Sequence, residues 1–129
     1  HVIFSTWDDD RPATLSPFVV GEVMRGQIAF DGLLMSDDIG MHALAGPLVD
    51  RARAALAAGC DVVLHCSGEL AEARQIAEAI GTMSSAGAAR LERVERSIAD
   101  VAGMPQVDAA TALATRDSLL ALAGTPYAA

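Results

Sequence analysis

The chain contains no lysine. All nine basic residues are arginine, set against seventeen aspartates and glutamates, for a formal net charge of −8. A surface this acidic lacks the cationic footprint that phosphate backbones or anionic lipids require, which excludes nucleic-acid and membrane-surface roles. No apolar run reaches the roughly 20 residues of a membrane span, and no signal-peptide pattern opens the chain. Aromatic residues make up only 4% of the sequence, so any core must come from Ala, Leu, Val and Ile. Cysteine is scarce too, with Cys60 and Cys66 the only two. The segment between them reads as a strand, which holds them about 20 Å apart at roughly 3.3 Å per residue. A disulfide tolerates only about 7 Å between Cα atoms, so the thiols are expected to be reduced, as in a cytoplasmic protein.

What is present suffices for one folded domain: 129 residues, 52% hydrophobic and 20% charged. His1-Val2-Ile3-Phe4 reads as the end of a buried strand, which predicts that the chain is a piece of a longer protein. Ser16-Pro17 is a helix start, and Val19, Val20, Val23 and Met24 recur with helical period to about Gln27. Leu33–Ser36 reads as a second strand and Asp37–Gly46 as a loop with a helical turn at Met41–Leu44. A helix over Leu48–Ala58, opened by Pro47 and stopped by Gly59, leads into a third strand, Asp61–Cys66. Helices follow over Glu69–Ile80, Ala86–Ala102 and Ala109–Ala123. Strands spaced about thirty residues apart, with a helix in each interval, are the rhythm of a parallel α/β sheet.

In such folds the chemistry collects at the carboxyl edge of the strands. Asp37 and Asp38 stand at that edge. Strand alternation puts Leu33, Met35 and Asp37 on one face and Leu34, Ser36 and Asp38 on the other, so the two acids do not form a close acid/base pair. Asp37 is the one in line to look into a barrel interior. Taken alone, an Asp-Asp after a strand reads equally as a cap or a solvated loop. No third ligand at a suitable spacing supports a metal site.

Three segments carry a family resemblance. The run from Phe30 to Met41 (Phe-Asp-Gly-Leu-Leu-Met-Ser-Asp-Asp-Ile-Gly-Met) resembles the nucleophile signature of glycoside hydrolase family 3. In particular it resembles that of the β-N-acetylglucosaminidases of bacterial cell-wall recycling. Arg11-Pro12-Ala13-Thr14-Leu15-Ser16 and Ala57-Ala58-Gly59-Cys60-Asp61-Val62-Val63-Leu64 resemble the same group, in the same order, and the likeness covers residues 1 to about 80. The resemblance implies a (β/α)₈ TIM-type barrel with Asp37 as the nucleophile of a retaining β-N-acetylhexosaminidase, forming a covalent glycosyl-enzyme that water resolves. Asp38 is then a loop-fixing acid, and no cofactor or metal is implied. The family's Lys-His-Phe-Pro-Gly-His-Gly-like stretch, with its acid/base loop, has no counterpart here. Residues 1–80 therefore correspond to about the last three βα units of the barrel, with 81–129 a helical segment of the same domain. The expected partner is a carbohydrate, an N-acetylglucosaminyl muropeptide-type substrate. Alone, the chain is expected to be inactive and to need the missing barrel portion or self-association to cover its open edges.

His1, at the end of the first strand, reads either as pocket-lining and substrate-binding or as a packing residue. Met35 beside Asp37 could bind substrate, although gap filling is the default for a thioether. His42 reads as a loop residue, and His65 as a satisfied core histidine. Arg11 has ion-pair partners in Asp8–Asp10, while Trp7 reads either as a ring on which a sugar could stack or as one packed under its own loop. Glu92, Arg93, Glu95 and Arg96 read as a solvated face of helical ion pairs. The rival function is a receiver-like phospho-accepting signalling module with Asp8-Asp9-Asp10 as its magnesium cluster; the missing lysine speaks against it.

Overall fold

The computed structural model describes residues 1–102 and 108–122. Residues 1–96 form one compact unit, and residues from Ser97 onward belong to a second. The α/β expectation holds for the first unit. A two-stranded parallel sheet, β1 (Met35–Asp38) and β2 (Val62–Leu64), is joined by helix α1 (Leu48–Ala58) and followed by α2 (Leu70–Ile80) and α3 (Ser85–Ala102). Helix α4 (Ala109–Leu122) lies in the second unit. Asp108 caps it by accepting the Thr111 N–H at 3.0 Å and the Thr111 hydroxyl. The expected end at Ala123 and the tail after it lie outside the described residues.

Most helix boundaries follow local chemistry. Pro47 opens α1 and cannot donate where no acceptor exists. Gly59 ends it at φ 114°, a conformation open to glycine, and lets the Gly59 and Cys60 N–H groups reach the Leu56 and Ala55 carbonyls. Ser16 starts the first long helix, as expected: its hydroxyl oxygen accepts the Val19 N–H at 3.2 Å and its carbonyl accepts that of Val20. This helix, Phe18–Gln27, is wound as a π-helix, with Ile28 N–H bonding back to Val23. Its Val19, Val20 and Val23 are buried. The core proper is Ile39, Leu44, Ala52 and Ile76, with Leu15, Leu48, Val63 and Ile80 packed around them.

Two strand expectations need correction. His1–Phe4 is not a strand: it carries no ladder, Val2, Ile3 and Phe4 are exposed, and the Val2 carbonyl is taken by the Ala13 N–H at 2.8 Å. Apolar β-formers become a strand only where a partner strand offers its edge, and among the described residues the sheet has two strands. The second strand is shifted, so that Asp37 and Asp38 lie inside β1 and not in a loop after it. The reason is a register irregularity. Three steps along β1, Met35 to Asp38, match two along β2, Val62 to Leu64. The Ser36 hydroxyl replaces a ladder carbonyl by accepting the Leu64 N–H at 3.0 Å. A bulge of this kind lengthens the strand by one residue and re-aims the side chains beside it.

Candidate active site

At the end of β1 the two aspartates have different surroundings. The Asp37 side chain is 55% exposed, on the same face as the exposed Met35, while Ser36 between them is buried. One Asp37 oxygen, Oδ1, accepts the Asp38 N–H at 2.8 Å, which sets the carboxylate's orientation. The backbone nitrogen of His1 lies 3.8 Å from the other oxygen, Oδ2.

Asp38 fastens the loops. Its Oδ1 accepts the Gly40 N–H at 2.8 Å and the Cys66 N–H at 3.1 Å, tying the segment after β1 to the one after β2. The Gly40 bond, the Cys66 bond and the nearby His65 outweigh partial burial and hold Asp38 below the usual aspartate value. His65 follows β2, its side chain only 9% exposed. Its Nε2 lies 2.8 Å from Glu72 Oε2 and 2.8 Å from the Ser67 hydroxyl; its Nδ1 lies 3.7 Å from Asp38 Oδ1. The Ser67 hydroxyl and His65 hold Glu72 below the usual glutamate value. From the sequence His65 is expected to be a satisfied core histidine. The structure puts it between two carboxylates, with Nδ1 buried and without a hydrogen bond.

His1 is fixed by both ring nitrogens. Nε2 is 2.8 Å from the Asp38 carbonyl and Nδ1 is 3.0 Å from the Thr14 hydroxyl. A carbonyl only accepts, so Nε2 donates to Asp38, and Nδ1 shares a hydrogen bond with the Thr14 hydroxyl. The ring thus braces the end of β1 against the 3-10 turn at Ala13–Leu15.

Behind the aspartates lies a cluster that sequence reasoning missed. Asp61, read only as the first residue of a strand, has a side chain 4% exposed and is the hub of the first unit. Its Oδ2 accepts Arg25 at 2.8 Å and the Leu34 N–H at 2.9 Å, and its Oδ1 accepts Arg90 at 2.8 Å. Burial opposes its charge, but the Leu34 N–H and the two arginines together hold Asp61 below the usual value. Arg90 and Arg93 of α3 also reach Asp31, so the Arg93 partner is this loop aspartate rather than a glutamate of its own helix face. An acid opening an apolar strand was the available signal.

The remaining candidates serve the framework or stand apart. Asp8 Oδ1 accepts the Asp10 and Arg11 N–H groups and its Oδ2 accepts the Ser16 hydroxyl at 2.6 Å, so it organises its own loop. Trp7 packs at 5.5 Å on Phe4, its ring partly exposed. His42 is exposed in the turn after β1. A cavity of about 510 Å³ lies at the start of β2, lined by Leu56, Cys60, Asp61, Val63, Ile80 and Met83, rather than at the Asp37 end. Of its titratable groups, Asp61 is held by arginines, and burial beside that carboxylate pushes the Cys60 thiol up. Both cysteines are free, and among the described residues no His, Cys, Asp and Glu are grouped to hold a metal ion. Among the same residues no helix is long and apolar enough to cross a membrane.

Comparison with known proteins bears on this arrangement. Residues 1–102 match the model of the glycosyl hydrolase family 3 N terminal domain. A beta-hexosaminidase of Alkalilimnicola ehrlichii is 52% identical over 69 residues, which cover 52% of this chain and 20% of that protein. Those of Nitrosospira multiformis and Chromobacterium violaceum are 40% identical over 96 residues and 41% identical over 112, covering 73% and 77% of this chain. The chain spans 27% and 30% of the length of those two relatives. Over the residues that build the β1–α1–β2 unit and its flanking helices, the chain belongs to glycosyl hydrolase family 3.

Proposed function

We propose that these residues are the nucleophile-bearing part of a retaining β-N-acetylhexosaminidase, and that they make up about the last three βα units of its TIM-type barrel. The observation that carries the reading is Asp37: an exposed carboxylate at the carboxyl edge of a parallel pair, beside a bulge, with one oxygen held by the Asp38 N–H. The free oxygen attacks the anomeric carbon of a terminal β-N-acetylglucosaminyl residue. The glycosidic bond breaks as a glycosyl ester forms on Asp37, and water then cleaves the ester with overall retention. Met35, exposed on the same face, provides an apolar wall for the sugar. His1 borders the subsite and keeps the end of β1 in place. The acid/base group that protonates the leaving oxygen comes from outside these 129 residues, so the chain alone is inactive.

Peptidoglycan-derived fragments are the substrate class we infer, since the named relatives are beta-hexosaminidases and the segment around Asp37 resembles that of cell-wall recycling enzymes. Free thiols and such a substrate support a cytoplasmic site of action. The test is to treat the complete enzyme with a fluorinated, slowly turned-over N-acetylglucosaminyl substrate and map the label by peptide mass. Label on the peptide carrying Asp37, together with a kcat loss of about 10³-fold or more in Asp37→Asn, is the expected result. Label on another carboxylate overturns it.

A further inference from the structure

His65 is unusual in this chain because a nearly buried imidazole faces an acid from each side. Its hydrogen-bond partners settle where the first proton sits. The Ser67 hydroxyl donates to Glu72 Oε2 at 2.7 Å and its oxygen accepts the Glu69 N–H at 3.1 Å. Neither it nor the Glu72 carboxylate has a further proton to offer Nε2, so Nε2 is the donor, shared between them. The same accounting rules out Ser67 as a His-activated nucleophile, since Nε2 has no lone pair free to take its proton. Nδ1 is left without a hydrogen-bond partner, 3.7 Å from Asp38 Oδ1. Nδ1 therefore faces the Asp38 carboxylate directly, and an N–H at this position is aimed at Oδ1.

We propose that His65 is a positioning residue for Asp37, acting through Asp38. The route is continuous: Glu72 and Ser67, at the start of α2, orient the His65 ring; Nδ1 bears on Asp38 Oδ1; and Asp38, through its own N–H, holds Asp37 Oδ1. Space is tight along this route. Gly40 adjoins both groups: a Cβ there would stand 3.1 Å from Asp38 Oδ1 and 3.5 Å from the His65 ring, so any side chain at this position would crowd the acid. His65 touches no substrate in this scheme. It governs how rigidly the attacking oxygen is aimed, and so affects the chemical step rather than sugar binding.

The inference rests on Asp37 being the nucleophile, and the test separates the two. In the complete enzyme, hydrolysis of 4-nitrophenyl N-acetyl-β-glucosaminide is compared for His65→Asn, His65→Gln and Asp37→Asn. The asparagine amide can place an N–H near the Nδ1 position, toward Asp38, and the glutamine amide only near Nε2, toward Glu72. Rescue by His65→Asn is expected, with kcat within a few-fold of wild type, while His65→Gln loses kcat by roughly tenfold to a hundredfold at little-changed KM. A purely structural role would impair both variants alike, or would move KM. An enzyme that loses activity in Asp37→Asn yet treats the two His65 variants equally overturns the inference alone. An inactive wild-type enzyme, or an active Asp37→Asn variant, overturns the nucleophile reading and this role with it.

Discussion

Replacing Asp61 by alanine removes in one step the acceptor of three hydrogen bonds: from Arg25 at 2.8 Å, Arg90 at 2.8 Å and the Leu34 N–H at 2.9 Å. Breaking a buried ion pair from one side costs about 3–5 kcal/mol, and an unsatisfied N–H adds about 1–3 kcal/mol. Two features pull the sum toward the lower end. The arginine side chains keep 18% and 21% of their exposure. They also keep other acceptors: Arg25 the carbonyls of Phe30 and Gly32, and Arg90 the Asp31 carboxylate. Asp61→Ala should therefore destabilise the protein by about 3 kcal/mol. Asp61→Asn still accepts the Leu34 N–H and should cost less, about 1–2 kcal/mol. Asp31 is 77% exposed and meets the same helix, so Asp31→Ala is the control and should cost under about 1 kcal/mol. Urea unfolding followed by circular dichroism measures all three. Equal losses for Asp61→Ala and Asp31→Ala, or a loss below about 1 kcal/mol for Asp61→Ala, would refute the view that this carboxylate joins the π-helix, β2 and α3.

Asp8, Asp38, Asp61 and Glu72 are all held below their ordinary values of 3.8 for Asp and 4.5 for Glu. Depressed acids stabilise the fold fully above those values and lose that contribution as pH falls through the lower folded ones, so the Tm should be level above about pH 5 and drop below about pH 4. A Tm that rises or stays flat across that interval would contradict the sign. Gly59→Ala forces a Cβ into φ 114° and to 2.9 Å from Val20 Cγ1, in a side chain that is buried. A loss of about 2–3 kcal/mol in thermal or urea unfolding is expected, whereas a neutral result would show that this junction between α1 and the π-helix yields easily.

Parts of the fold were legible because their signals are local. Pro47 and Gly59 bracket α1 at the expected residues, Ser16 begins the next-door helix, and the turn at Met41–Leu44 closes with the Leu44 N–H on the Met41 carbonyl. Val2-Ile3-Phe4 misled because β-propensity says which residues fit a strand and not whether a partner edge is there. The two-residue shift of β1 was hidden in the same way, since it depends on how Ser36 pairs with Leu64 across the sheet.

The sequence by itself determined the strand–helix–strand–helix order from Leu33 to Ile80, the acidic charge balance, the absence of a disulfide between Cys60 and Cys66, and the segment around Asp37 that carries the family likeness. Each depends on composition, on short spacing or on residues within a dozen positions. Tertiary structure alone decided that His65 stands between Asp38 and Glu72, that His1 braces the Asp38 carbonyl, and that Asp61 gathers two arginines from helices on either side of it in the chain. Those partners are 27, 37, 36 and 29 residues away for His65–Asp38, His1–Asp38, Arg25–Asp61 and Arg90–Asp61. No local periodicity encodes such pairings; they exist only once burial has brought the ends of β1 and β2 together and made an unpaired charge there costly.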